Sequence, residues 1–107
     1  MSRAIDRVRD CADMPQVRRA IDALDDKLLP LLVTRAGYMT QAARIKRRPE
    51  EVRDEARIEA IVQRERARAA AEGGAPELIE AIYRAMMEAC IDYEQREFER
   101  LRAGEPS

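Results

Sequence analysis

Residues 17–45 read VRRAIDALDDKLLPLLVTRAGYMTQAARI, and the spacing of their apolar side chains decides the fold. Val17, Ile21, Leu24, Leu28 and Leu31 step by 4, 3, 4 and 3. The rhythm continues through position 35 to Tyr38, Ala42 and Ile45. This is a heptad-type helical seam. Arg35 stands where an apolar residue belongs. A cation in such a seam is costly unless an anion or hydrogen-bond acceptors meet it. The next seam positions offer no obvious partner, so Arg35 points to an anionic ligand.

Working outward, Asp13-Met14-Pro15 reads as a helix start, with proline in the first turn. The spacing predicts a first helix reaching about Arg47, roughly 30 residues and ~45 Å long. Pro30 interrupts it. An interior proline removes one hydrogen bond and crowds the carbonyl four residues back, so a kink near Asp26 is expected. Two helices broken at Pro30 are the alternative. Arg47 to Glu51 reads as a polar connector. A second helix is expected from about Val52 to Glu72, with Val52, Ile58, Ile61 and Val62 as its apolar positions. Gly73-Gly74-Ala75-Pro76 is a strong stop and turn. A third helix is expected from Pro76 or Glu77 to about Arg102, with Leu78, Ile79, Ile82, Met86, Ala89, Cys90 and Tyr93 on its inner face. Residues 1–13 read as a flexible N-terminal segment and residues 14–103 as one helical domain.

The expected fold class is therefore all-α, with a long, a medium and a long helix. One medium helix cannot cover a ~45 Å partner. The far half of the first helix is expected to pack on a second copy, in an intertwined homodimeric bundle.

Composition narrows the function. The chain has 107 residues, 38% of them charged, with a formal net charge of −1 and only four Phe plus Tyr. A balanced charge and few aromatics argue against nucleic-acid binding. No apolar run is long enough for a transmembrane helix, and the start MSRAIDRVRD lacks the apolar core of a secretory signal. Cys11 and Cys90, far apart in sequence, make no disulfide framework, so a reduced, cytoplasmic setting is expected. With no histidine and no cysteine cluster, no metal site is expected.

Several charged residues fall near inner faces. Lys46 follows Arg35 by 11 residues, three turns on and nearly on the same face. The pair could hold a small dianion; alone, Lys46 reads equally as a solvated cation at a helix end. Arg18 lies ~25 Å from Arg35 along the axis. It is either a surface arginine or a residue entering the neighbouring subunit's pocket. Asp54 and Arg57 share a face with Ile61, as a surface pair or as pocket residues. Cys90 and Glu94 are an i, i+4 pair flanking Tyr93. Glu94 is a surface acid or a pocket acid. Cys90, without a histidine partner, reads as a small packing or ligand-contact residue rather than a nucleophile. Several cations, few bases and no nucleophile suit a site that binds a small polyanion and stabilises its reorganisation electrostatically.

The segments VRRAIDALDDKLLPLLVTR (17–35), ARIK (43–46), VRDEARI (52–58) and MMEACIDYEQ (86–95) make this chain resemble the all-α chorismate mutases and the related isochorismate-pyruvate lyases. The resemblance covers Val17 to Leu101. It implies a cofactor-free Claisen rearrangement of chorismate to prephenate, a step of aromatic amino acid biosynthesis. It also implies a homodimer whose pockets take Arg18 from one subunit and Arg35, Lys46, Asp54, Arg57, Ile58, Cys90 and Glu94 from the other. Arg18 and Arg35 would clamp the two carboxylates of the substrate. Lys46 would donate to the ether oxygen, and Asp54 and Arg57 would contact the ring hydroxyl region and a carboxylate. The family often carries glutamine at the position of Glu94. A glutamate donates only when protonated, so a neutral Glu94 and activity that falls with rising pH are expected. The family's mutases often carry glutamate at the position of Ile58, whereas its lyases carry an apolar residue. The alternatives are thus an isochorismate-pyruvate lyase, an amino-deoxychorismate mutase, or a helical dimerisation module without turnover.

Overall fold

The structure, a computed structural model, describes residues 7–104. These are all-α, in the order α1 (Met14–Ile45), a 3-10 turn (Pro49–Glu51), α2 (Glu55–Ala71) and α3 (Pro76–Arg102), with no strand among them. Of the segment expected to be flexible, residues 1–6 lie outside the described residues. Arg7 to Cys11 are exposed and carry no regular structure. The chain divides into two units, Met1–Val33 and Thr34–Ser107.

In the first unit, α1 starts at a side-chain cap. Asp13 Oδ1 accepts from the Gln16 backbone N–H at 3.0 Å, and the Gln16 side chain accepts from the Ala12 N–H at 2.8 Å. One donor left over at the helix start, the Gln16 N–H, is thereby satisfied, and so is the Ala12 N–H just before the cap. The helix runs unbroken through Pro30, so the alternative of two helices is set aside. One missing hydrogen bond is tolerated because Leu28, Leu29, Leu31 and Leu32 beside it are strong helix formers. The seam residues Ile21, Leu24, Leu28 and Leu31 are all exposed.

The second unit holds the core. Ile58, Ile61 and Val62 of α2 pack on Met87 of α3, with Tyr83 and Ile91 against them. Ala43 of α1, Val52 of the connector and Phe98 of α3 form a second cluster, which Ile91 also touches. The α2–α3 turn closes as a Schellman motif: Gly74 N–H donates to Ala69 C=O at 2.8 Å and Gly73 N–H to Ala70 C=O at 3.1 Å. Gly73 has φ of 79°, a conformation that side-chain-bearing residues adopt at a cost. Outside, Arg53 of the connector grips Glu88 of α3 through both Nη atoms, and Arg84 of α3 grips Glu59 of α2 likewise.

One expectation about faces, that for α3, is corrected in part. Tyr38 and Ile45 do not point into the unit; they are 66% and 65% exposed, while Ala43 is fully buried. Ala43 lies across the helix from both, at offsets of five and two residues. On α3, Leu78, Ile82 and Ala89 are exposed, Ile79, Met86, Cys90 and Tyr93 are half-buried as expected, and the deepest side chains are Met87, Glu94 and Phe98. The outward residues Tyr38, Ile45, Leu78 and Ile82 are apolar, whereas Arg35, Cys90 and Tyr93 meet across the α1–α3 contact side.

Candidate active site

α1 and α3 of the second unit bring four of the expected site residues together. Arg35 Nη1 donates to Cys90 Sγ at 3.3 Å. Lys46 Nζ donates to Glu94 Oε2 at 2.8 Å and to the Val52 carbonyl at 3.3 Å. The α1 residues are 11 positions apart, ~16 Å along the axis, whereas Cys90 and Glu94 are 4 apart, ~6 Å. Two cations far apart along the first helix thus reach partners only one turn apart on α3.

Local structure explains the placement. Lys46 follows the last residue of α1, and its backbone N–H still bonds the Ala42 carbonyl at 2.9 Å. The connector beyond it is pinned at several points. Glu51 accepts from the Arg47 and Arg48 backbone N–H groups, which hold its carboxyl below the usual carboxylate range. Gln95 donates to the Pro49 carbonyl, and Arg102, stacked on Phe98, donates to the Lys46 carbonyl. Glu94 is only 4% exposed, and the Lys46 side chain is 29% exposed. Burying an acid at that depth is tolerable because the ammonium meets it directly.

The remaining expected residues are placed differently. Asp54 caps α2, its Oδ1 accepting from the Arg57 backbone N–H at 3.0 Å. The pair is thus a helix cap rather than a side-chain ion pair, and both residues are exposed. Ile58 sits in the core cluster with Ile61, Val62 and Met87. Arg18 is exposed on the first unit.

A polar cluster beside the site was not legible in the sequence. Thr40 Oγ1 donates to Glu97 Oε1 at 2.7 Å and lies 3.4 Å from the Tyr93 hydroxyl. Arg100 Nε and Nη2 donate to the same carboxylate at 2.8 and 2.9 Å. Arg100 first, then Thr40, pull the Glu97 carboxyl from its ordinary 4.5 down to about 2. A depressed carboxyl contributes stability that is complete above the ordinary value and lost as pH falls from about 4.5 through about 2. Glu97→Gln is therefore expected to lower the urea midpoint at neutral pH, with the gap to wild type narrowing on acidification to about pH 2. A gap constant across that window would remove Glu97 as the source.

Among the described residues no group of acidic, cysteine or histidine side chains could hold a metal ion, and no helix is long and apolar enough to cross a membrane. No curated protein matches the chain. The family model for chorismate mutase type II matches residues 17–95, a span that takes in Arg18 and every site residue from Arg35 to Glu94. By that match over most of its length, the chain belongs to the chorismate mutase type II family.

Proposed function

We propose that the chain is a chorismate mutase acting as a homodimer in the cytoplasm. The observation that carries this is the convergence of Arg35 and Lys46 on Cys90 and Glu94. Arg35 presents a planar fork to a substrate carboxylate. Lys46, held by Glu94 and the Val52 carbonyl, presents an ammonium to the ether oxygen. As the C–O bond breaks and the new C–C bond forms, electron density gathers on that oxygen, and the ammonium favours the transition state over the ground state. Glu94 accepts from that ammonium and so holds it in place. The rearrangement takes up and releases no proton overall, so the site needs neither nucleophile nor base. Holding the flexible enolpyruvyl arm over the ring supplies the remaining acceleration.

Arg18 of a second subunit would complete the carboxylate clamp. The dimer is supported by the outward stripe of Ile21, Leu24, Leu28 and Leu31 on the first unit, and by the stripe of Leu78 and Ile82 on the second. A monomer that leaves such stripes in water exposes more apolar surface than a soluble chain ordinarily does. Light scattering is expected to give twice the 12.3 kDa chain mass; a chain-mass value at micromolar concentration removes the shared pocket. The two free thiols accord with a reducing compartment.

One observation favours a second reading. Ile58 places an apolar side chain, not an acid, at the family's ring-hydroxyl position, which suits an isochorismate-pyruvate lyase. Incubation with chorismate and, separately, isochorismate decides. Prephenate from the first supports the mutase, salicylate plus pyruvate from the second supports the lyase, and no product from either defeats both.

A further inference from the structure

Between the two cations of the site, α1 carries Thr40, five residues after Arg35 and six before Lys46. Its hydroxyl crosses to Glu97 of α3, three residues beyond Glu94 and seven beyond Cys90. We propose that the Thr40–Glu97 hydrogen bond is a positioning contact that sets the axial register of α1 against α3, and so the approach of Arg35 and Lys46 to Cys90 and Glu94.

The other contacts across this helix pair are poor rulers. Ala43 against Phe98 and Val52 is apolar packing, which is non-directional and tolerates sliding along the axis. Arg35 and Lys46 reach across on long, flexible side chains that do not fix the backbones, so a slide of the helices is passed on to the position of their charged heads. Thr40 has one χ angle and a β-branched, stiff attachment. Its 2.7 Å bond to a carboxylate is short, charge-assisted and directional. The acceptor is fixed as well: Arg100, one turn further along α3, holds both oxygens of Glu97. Glu97 stays ionised down to about 2, so the acceptor persists across any ordinary working pH. A stiff donor thus meets an immobilised acceptor midway along the site.

The consequence for catalysis rests on the mutase reading; the consequence for register does not. Thr40→Val keeps the shape and removes the hydroxyl, and Thr40→Ser keeps the hydroxyl. In a mutase, Thr40→Val is expected to lower kcat about tenfold with KM within about twofold, because misplacement by a fraction of an ångström weakens contacts made in the transition state. Thr40→Ser is expected to recover kcat to within about twofold. A merely structural hydroxyl would lower the urea midpoint and leave kcat of the folded protein unchanged.

The register itself is read by a double-mutant cycle in urea. Thr40 and Lys46 share no partner and lie ~9 Å apart along α1, so independent effects would add. The expected result is that Lys46→Met shifts the midpoint at most about half as far in the Thr40→Val background as in wild type, the Lys46–Glu94 pair being already loosened there. Glu94→Leu, which removes the acceptor and leaves the part-exposed Lys46 to water, takes the place of Lys46→Met in the cycle should that variant not fold. Additive shifts overturn the proposal, as does an unchanged kcat for Thr40→Val when the wild type is active. If the wild type turns over no chorismate, the mutase reading fails and the cycle alone decides the register.

Discussion

Arg35→Ala is expected to lower kcat/KM for chorismate by about 10²- to 10³-fold, on the scale of removing one preorganised donor from an anion-stabilising site. Loss of a charged partner from a desolvated pair typically costs ~2–5 kcal/mol, and that range contains the expected loss. The direction of the stability change separates an enzyme from a dimerisation module. Arg35 donates to the sulfur of Cys90, which is a weak acceptor. Removing a cation from an otherwise apolar seam then leaves the fold as stable or slightly more stable. Activity and stability should move apart. Arg35→Lys should recover only part of the activity, because an ammonium cannot present two parallel donors to one carboxylate. Steady-state kinetics and a thermal melt on the same preparations check both, and full activity in Arg35→Ala would sink the assignment of this residue.

Much of the fold was readable because it depends on strong local signals. Gly73-Gly74-Ala75-Pro76 fixes the end of α2 and the start of α3, and the observed Pro76–Arg102 helix matches the spacing. The start of α2 was read three residues early, at Val52 instead of Glu55. Pro49-Glu50-Glu51 winds into a 3-10 turn, and Asp54 spends its carboxylate capping the helix. Both features belong to the connector and look polar and helix-compatible in sequence.

The faces were harder. A heptad stripe announces an apolar surface without saying which surface it meets. On α1 the stripe through Tyr38 and Ile45 points outward, and the small side of the helix at Ala43 meets α3. Alanine packs closely but barely registers in an apolar pattern, so the larger residues dominated the reading. The site divided along the same line. Arg35 and Lys46 stood out because a cation on an inner face is anomalous. Thr40, Glu97 and Arg100 did not, because each is an ordinary helix-surface residue until a second helix brings them together.

The Lys46–Glu94 pair carries the other large effect, and its two halves should fail differently. Lys46→Met removes the donor to the ether oxygen and leaves Glu94, 4% exposed, without its ammonium. Activity is expected to fall by about 10³-fold. Stability is expected to fall by about 1–3 kcal/mol, less than for a fully buried pair because the lysine side chain is 29% exposed. Glu94→Gln should behave otherwise. The amide accepts from Lys46 through its oxygen and offers its NH2 to the substrate at every pH. kcat/KM of Glu94→Gln is expected to match or exceed that of wild type, since the carboxylate that accepts from Lys46 offers the substrate no donor of its own. Should Glu94→Gln fall well below wild type instead, the carboxylate's charge is what holds Lys46 in place and the added amide donor does not act.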